Sequence, residues 1–190
     1  MMEVYNEMQK FNLDILALQE VRWKGSGRID KKDFSLYYSG NPEKSGMYGT
    51  AFMINANLRK SVLGFEPISD RVCRIRIKGR FWNTSMISAY APTEEAPEED
   101  KVTFYDQLAG LCGRVPKHDI VLLLGDFNAK IGKEVFLAEV AGKNTLHDEC
   151  NKMEDCLLSL LRNIILLLPA QNLNTKRYTW VLGKCQEQIL

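Results

Sequence analysis

The sequence predicts an α/β or α+β domain built on a mixed β-sheet. Apolar segments of strand length alternate along the chain with segments of helical composition, which is typical of these fold classes. The chain has 190 residues, of which 45% are hydrophobic, enough to bury a sizeable core. Its charges nearly cancel, at 25 Lys and Arg against 24 Asp and Glu, so any binding of a polyanion must be local.

The first half of the chain predicts one helix and five strands. Residues 2–10 have helical composition, and "LDILALQE" at 13–20 is apolar enough to be a strand buried on both faces. Turns rich in Gly, Pro, Asn and Ser separate the other predicted strands, which lie at 34–38, 50–55, 71–78 and 80–91.

The second half predicts a long helix and then a core strand. Pro97 and the three acids behind it fit the start of a helix, and Gly113 fits its end. Between them, apolar residues recur at helical spacing: Val102, Tyr105, Leu108, Leu111 and Cys112. The segment "DIVLLLGDFN" is the next strand. A helix from 153 and strands at "IILLL" and "RYTWVL" follow.

Cysteines and hydropathy indicate an intracellular protein, nuclear or cytoplasmic. The five cysteines are odd in number and form no CxxC pair, which favours reduced structural thiols over disulfides or zinc. The N terminus lacks the features of an export signal. The apolar segment at 156–170 is interrupted by Arg162 and Asn163 and is shorter than the ~20 residues that a spanning helix needs. We therefore predict no membrane association.

The first candidate site residues follow the strand that ends in "GDFN". Gly125 lets the backbone bend, Asp126 offers a carboxylate that can orient or deprotonate a water, and Asn128 offers an amide donor and acceptor. The alternative is an Asx-type turn, in which these residue types are common for backbone reasons.

Two other apolar strands end in polar residues. Glu20 ends "LDILALQE" and is a candidate ligand for Mg²⁺, which is usually held by one or two carboxylates. Tyr90 ends "SMISAY" and, with Thr93, offers hydroxyl groups to a phosphate. Alternatively, Glu20 only marks the point where its strand meets solvent, and Tyr90 is a half-buried packing residue at a strand end.

The segments "LDILALQEVRW", "SAYAPT", "KHDIVLLLGDFNAKIG" and "RYTW", in this order, resemble the endonuclease/exonuclease/phosphatase superfamily. Within it, the chain is most similar to the apurinic-type endonuclease domains of LINE retrotransposons of the RTE kind and to host proteins derived from them, such as craniofacial development protein 2-like proteins. The resemblance implies a four-layer α/β sandwich, truncated at both ends in this sequence. It also implies a phosphodiesterase that cleaves DNA with Mg²⁺, or with Mn²⁺ in its place.

The resemblance also implies roles for single residues. Glu20 matches the family's metal-binding glutamate and Tyr90 its phosphate-facing tyrosine. Asp126 matches the aspartate that positions the attacking water, and Asn128 the neighbouring asparagine that contacts the phosphate. Less specific matches to the family imply that Thr93 and Trp180 bind substrate, Thr93 at the phosphate and Trp180 near the DNA. DNA is the expected partner, through weak or local contacts, and no protein partner is predicted.

The sequence departs from the family's pattern at both ends. We expect one domain over 1–182 that lacks the family's first strand and its closing Ser-Asp-His, followed by an unstructured tail at 183–190. Of the two histidines, His118 lies at the wrong end of its strand and His147 falls on a loop with no assigned role. These departures predict slow cleavage by a catalytically impaired domain. A fully active endonuclease and a non-enzymatic interaction protein are the alternatives.

Basic residues give a modest nucleic-acid signal. Arg74, Arg76 and Lys78 share one face of their predicted strand. A second group follows Glu20 and includes Trp23: Arg22, Lys24, Arg28, Lys31 and Lys32. Both groups are interpreted either as solvated charged faces or as contacts to a DNA backbone.

Overall fold

The computed structural model describes residues 1–128, Leu157, Leu160 and the backbone of 180–182. The chain divides into two compact units. The first contains 1–90, 118–126 and 177–190, and the second contains 91–117 and 127–176.

The first unit begins with helix α1, Met2–Lys10, as the sequence predicts. An antiparallel sheet follows, with the strands β1 (Ile15–Gln19), β2 (Ser26–Asp30), β3 (Phe34–Ser39) and β4 (Thr50–Asn55). The strand order in space is β1-β4-β3-β2. A 3-10 helix, Ala56–Ser61, leads out of β4.

A mixed sheet completes the first unit. Its strands are β5 (Val62–Pro67), β6 (Val72–Ile77), β7 (Thr84–Tyr90), β8 (Ile120–Asp126) and β9 (Trp180–Leu182), in that spatial order. The first three strands pair antiparallel, whereas β7, β8 and β9 are parallel. Because β7 and β8 are parallel neighbours, their carboxyl ends lie side by side at one edge of the sheet.

The core lies between the two sheets. A hydrophobic cluster joins them through Tyr37, Phe52, Ile54, Cys73, Ile75 and Ile77. Burial raises the pKa of the Cys73 thiol to about 12, which fits an unreactive structural cysteine. A second cluster attaches α1 through Met8 to the other face of the antiparallel sheet. The layers of this unit are therefore helix, sheet and sheet, and the predicted α/β fold class is confirmed.

The second unit contains helix α2, Glu98–Gly113, which starts directly after Pro97. The prediction of its buried face was wrong at one position, because Val102 is 50% exposed. The buried residues are instead Lys101, Phe104, Tyr105, Leu108 and Leu111. Because Lys101 is charged, the sequence did not indicate that it is buried. In the structure, its ammonium group donates a hydrogen bond to the carbonyl of Glu94 at 2.7 Å.

Three strand predictions need correction. β1 is half-buried rather than buried on both faces, because among the described strands it pairs only with β4. β2 and β5 were not predicted, since β2 has the charged Arg28 and Asp30 on either side of Ile29, and β5 contains Gly64 and ends in Pro67. The segment 80–83 is a turn before β7 rather than part of the strand. The turn lies close to Gly79, where an added Cβ atom would be 1.8 Å from the carbonyl oxygen of Trp82.

The remaining predictions for the chain fall mostly outside the described residues. This applies to the strand at "IILLL", to His147 and to the tail at 183–190. In the predicted helix from 153, Leu157 and Leu160 are described and are buried. No helix in the described part of the chain is long and apolar enough to cross a membrane.

Asp119 is a buried carboxylate at the start of β8. Its side chain is 1% exposed and accepts hydrogen bonds from Arg76 Nε at 2.7 Å, Arg76 Nη2 at 2.8 Å and Ser85 Oγ at 2.7 Å. Burial alone would raise the pKa of Asp119, but these hydrogen bonds and the charges of Arg76 and Arg74 together lower it. The three bonds tie β6, β7 and the start of β8 together.

We expect Asp119→Asn to lower the free energy of unfolding at pH 7 by about 2 kcal/mol, because it removes charge-assisted hydrogen bonds from a buried site. The folded-state pKa is depressed, so this stabilisation is present above the unfolded value of about 4 and is lost as the pH falls through the folded pKa. Urea denaturation at pH 7 and pH 3 measures the difference, with the exposed Asp106→Asn as control. An equal loss at both pH values would contradict the prediction.

Candidate active site

Glu20 is placed by an unusual turn at the end of β1. Both Glu20 and Arg22 have left-handed backbone angles, with φ of +56° and +59°. Such a conformation costs a non-glycine residue about 1–3 kcal/mol. Hydrogen bonds to the 46–49 segment hold it, from Val21 N–H to the Gly49 carbonyl at 3.1 Å and from Arg22 N–H to the Tyr48 carbonyl at 2.7 Å. The backbone therefore fixes the direction in which Glu20 projects.

The side chains of Tyr90 and Arg22 both donate hydrogen bonds to the carboxylate of Glu20. Oε1 accepts a hydrogen bond from the Tyr90 hydroxyl at 3.0 Å, and Oε2 accepts one from Arg22 Nη2 at 2.8 Å. The Glu20 side chain is 40% exposed and that of Arg22 is 62% exposed, so their ion pair is weak and can be displaced. Glu20 is therefore both oriented and accessible.

Asp126 lies beside Tyr90. The parallel register of β7 and β8 pairs these two residues directly. Burial raises the pKa of Tyr90, and the hydrogen bond to Glu20 and the negative charges of Glu20 and Asp126 raise it further, against an opposing effect of Arg71. Three strand ends, those of β1, β7 and β8, thus bring Glu20, Tyr90 and Asp126 together in the first unit.

Gly125 makes the end of β8 possible. Its φ is +147°, and a Cβ atom there would lie 1.9 Å from the carbonyl oxygen of Ala89 on β7. Only a residue without a side chain allows the two strands to approach this closely just before Asp126. The glycine of "GDFN" is therefore required by packing.

The other predicted site residues are placed as follows. Asn128 and Thr93 belong to the second unit. Asn128 has a φ of +48°, and its Nδ2 donates to the carbonyl of Ala91 at 2.8 Å. Thr93 is exposed, and Trp180 begins β9, where its backbone pairs with Leu122. The roles of all six predicted residues remain predictions.

Glu20 and Asp126 are two carboxylates of the first unit that a metal could contact. Among the described residues, no group of three or more His, Cys, Asp or Glu is arranged to hold an ion. Glu20 and Asp126 nevertheless fit Mg²⁺, because this ion is usually bound by one or two carboxylates and completes its shell with water and substrate phosphate.

The basic residues divide into paired and exposed groups. Arg74 and Arg76 are not a free cationic face, because Arg74 pairs with Glu66 at 2.6 Å and Arg76 pairs with Asp119. Arg28 pairs with Asp30 at 2.8 Å. Lys24, Lys31 and Lys32 are exposed, and none of them forms an ion pair with another residue of 1–128.

Sequence reasoning missed Tyr48 and Arg71, which contact Tyr90. The signal lay in the register of the β6–β7 hairpin. Val72 pairs with Ala89, so Arg71 stands opposite Tyr90, which the sequence had already marked as a candidate. The predicted strand bounds did not give this register, because residues 80–83 were assigned to the strand that becomes β7, although they precede it.

The fold is that of an α/β nuclease or phosphodiesterase, and comparison with known proteins gives the family. Residues 3–137 match the Endonuclease/Exonuclease/phosphatase family, and the chain belongs to it. It is 34% identical over 131 residues to craniofacial development protein 2 of Bos taurus, which covers 69% of this chain and 22% of that protein. The predicted resemblance is thereby confirmed.

Solved structures show the same fold at low sequence identity. The endonuclease domain of TRAS1, a telomere-specific non-LTR retrotransposon, aligns with a TM-score of 0.56 and 15% identity over 86% of this chain and 64% of that one. The AP endonuclease LMAP from Leishmania major gives a TM-score of 0.59 and 10% identity over 84% and 60%. The chain thus spans less than two thirds of these relatives.

We expect Gly125→Ala to destabilise the fold by about 3 kcal/mol, because the added Cβ clashes with the β7 backbone at a φ that side chains rarely adopt. Gly110→Ala is the matched control. Gly110 lies inside α2 with nothing within 4 Å of an added Cβ, so the same change there should stabilise by up to about 1 kcal/mol. Urea denaturation compares the two, and equal stabilities would disprove the packing requirement.

Proposed function

We propose that this chain carries a Mg²⁺-dependent phosphodiesterase site that cleaves DNA. The observation that carries the proposal is the meeting of Glu20, Tyr90 and Asp126, which joins a metal-compatible carboxylate, a phenol and a second carboxylate. Solved neighbours of the chain include an endonuclease domain and an AP endonuclease, which supports the substrate class. Similarity to a retrotransposon endonuclease also supports a retrotransposon origin.

Glu20 is the residue that would hold the metal. Its carboxylate is oriented by Tyr90, and a divalent cation can replace the exposed Arg22 as its electrostatic partner. When bound, Mg²⁺ neutralises the charge that develops on the phosphate oxygens.

Asp126 is the general base of the proposed reaction. Its carboxylate orients a water in line with the scissile bond and accepts a proton as the water oxygen bonds to phosphorus. The bond from phosphorus to the leaving sugar oxygen then breaks, and that oxygen takes a proton from solvent water to become a hydroxyl. The Tyr90 hydroxyl has one proton, which it donates to Glu20. In this arrangement Tyr90 orients Glu20, and its hydroxyl can donate to the phosphate only when the hydrogen bond to Glu20 breaks.

The family resemblance proposes further roles for residues that follow these groups in the chain. Asn128 stands two positions after Asp126 and Thr93 three positions after Tyr90, and both are proposed to contact the phosphate. Trp180 and the exposed lysines Lys24, Lys31 and Lys32 are proposed to contact DNA, the lysines through its backbone.

Nicking of supercoiled plasmid tests the proposed activity. We expect cleavage with Mg²⁺ or Mn²⁺, and Asp126→Ala should slow it by about 10²- to 10⁴-fold because it removes a positioned base. The exposed Asp106→Ala serves as the matched control and should leave the rate unchanged. The same assay measures the slow cleavage predicted for residues 1–190.

A nicking rate that Asp126→Ala leaves unchanged would come from a contaminating nuclease and would reject the proposal. Absence of any Asp126-dependent cleavage in a folded chain would favour the non-enzymatic alternative.

Metal binding gives a second test. We expect Mg²⁺ to bind in the millimolar rather than the micromolar range, since the described residues bring few carboxylate ligands to the site and the ion dehydrates reluctantly. Glu20→Gln should abolish binding in a calorimetric titration. Glu66→Gln also removes one carboxylate charge, but on β5 beside Arg74, and should leave binding intact. Unchanged affinity in Glu20→Gln would remove Glu20 from the site.

A further inference from the structure

Arg71 packs against two tyrosine rings beside the candidate active site. Its guanidinium carbon lies 3.7 Å from the ring centroid of Tyr48 and 5.4 Å from that of Tyr90. The two ring centroids are 6.3 Å apart. Both distances from the guanidinium fall within the range of cation–π attraction. We refer to Tyr48, Arg71 and Tyr90 as the Arg71 cluster.

Backbone hydrogen bonds fasten Arg71 to Tyr90 in both directions. The Tyr90 N–H donates to the Arg71 carbonyl at 2.8 Å, and Arg71 Nη1 donates to the Tyr90 carbonyl at 3.2 Å. The Arg71 N–H in turn donates to Ser69 Oγ at 3.2 Å. Arg71 therefore constrains both the backbone and the ring of Tyr90.

The cluster also reaches the turn that places Glu20. Tyr48 has a left-handed backbone with φ of +46°, and its carbonyl accepts the hydrogen bond from Arg22 N–H. The next residue, Gly49, donates its N–H to the Asp70 carbonyl at 2.9 Å. The guanidinium thus contacts both Tyr48, which belongs to the segment that holds Glu20, and the Tyr90 ring, whose hydroxyl contacts Glu20.

We propose that Arg71 is a positioning residue, which holds the Tyr90 phenol against Glu20 by packing its guanidinium against both the Tyr48 and the Tyr90 rings. This inference rests on the proposed function. Its physical basis is the flat guanidinium, which can stack on a ring while it donates to a carbonyl in its own plane. A lysine ammonium has the same charge but no flat face.

Steady-state kinetics of plasmid or oligonucleotide cleavage test the role. Arg71→Gln should lower kcat by about 10- to 100-fold, the scale expected when a reacting group is displaced, with little change in KM. Arg71→Lys keeps the charge and loses the stacking, so it should remain impaired. Arg74→Gln is the matched control, because it removes the same charge three residues along the strand, where Arg74 pairs with Glu66.

Nuclear magnetic resonance tests the geometry without activity. Nuclear Overhauser contacts between the ring protons of Tyr48 and Tyr90 should be present in the wild type and in Arg74→Gln, and absent in Arg71→Gln and Arg71→Lys. Tyr90→Phe assigns the Tyr90 signals. If Arg71→Gln does not fold, Arg71→Lys provides the comparison.

The outcomes separate this inference from the proposed function. A raised KM with unchanged kcat, or ring contacts that persist in both Arg71 variants, would overturn the positioning role. A wild type that shows the ring contacts but no Asp126-dependent cleavage would instead reject the proposed function. In that case, loss of the contacts in the Arg71 variants would still support positioning of Tyr90 by Arg71.

Discussion

The hydrogen bond from the Tyr90 hydroxyl to Glu20 Oε1, 3.0 Å long, joins strand ends that belong to different sheets. It forms only because the antiparallel and mixed sheets face each other across one apolar core. A second hydrogen bond joins the two sheets one residue before Glu20, where Gln19 Nε2 donates to Ser88 Oγ at 3.2 Å. The candidate site therefore depends on sheet packing. Disruption of the core would separate Glu20 from Tyr90 even if neither residue were substituted.

Backbone strain and glycine packing provide the precision that this contact needs. Glu20, Arg22, Tyr48 and Asn128 all have positive φ values, although none is a glycine. Positive φ at non-glycine residues tends to gather at functional sites, because surrounding structure must compensate for its cost. Here, hydrogen bonds between the 20–22 and 46–49 segments supply that compensation for Glu20, Arg22 and Tyr48. The strain of Glu20, Arg22 and Tyr48 therefore lies beside the candidate active site.

Charges in this protein serve two different purposes. Asp119 is buried and fully paired by Arg76 and Ser85, so it holds strands together and is inaccessible to a ligand. Glu20 is partly exposed and has a partner that can be displaced, which suits a carboxylate that must exchange ligands. The difference is one of burial rather than residue type. The same reasoning separates Arg76, which is structural, from Lys24, Lys31 and Lys32, which are available to a polyanion.

The sequence by itself determined the fold class, most of the strands and the identity of the residues at three strand ends. Glu20, Tyr90 and Asp126 each follow an apolar run, and that local pattern is readable without coordinates. The tertiary structure decided which groups surround them. The β6–β7 hairpin register places Arg71 against Tyr90, and a loop places Tyr48 there. Arg76 on β6 reaches Asp119 across one intervening strand, β7. These contacts join residues that are far apart in the chain, and local sequence patterns carry no information about such distances.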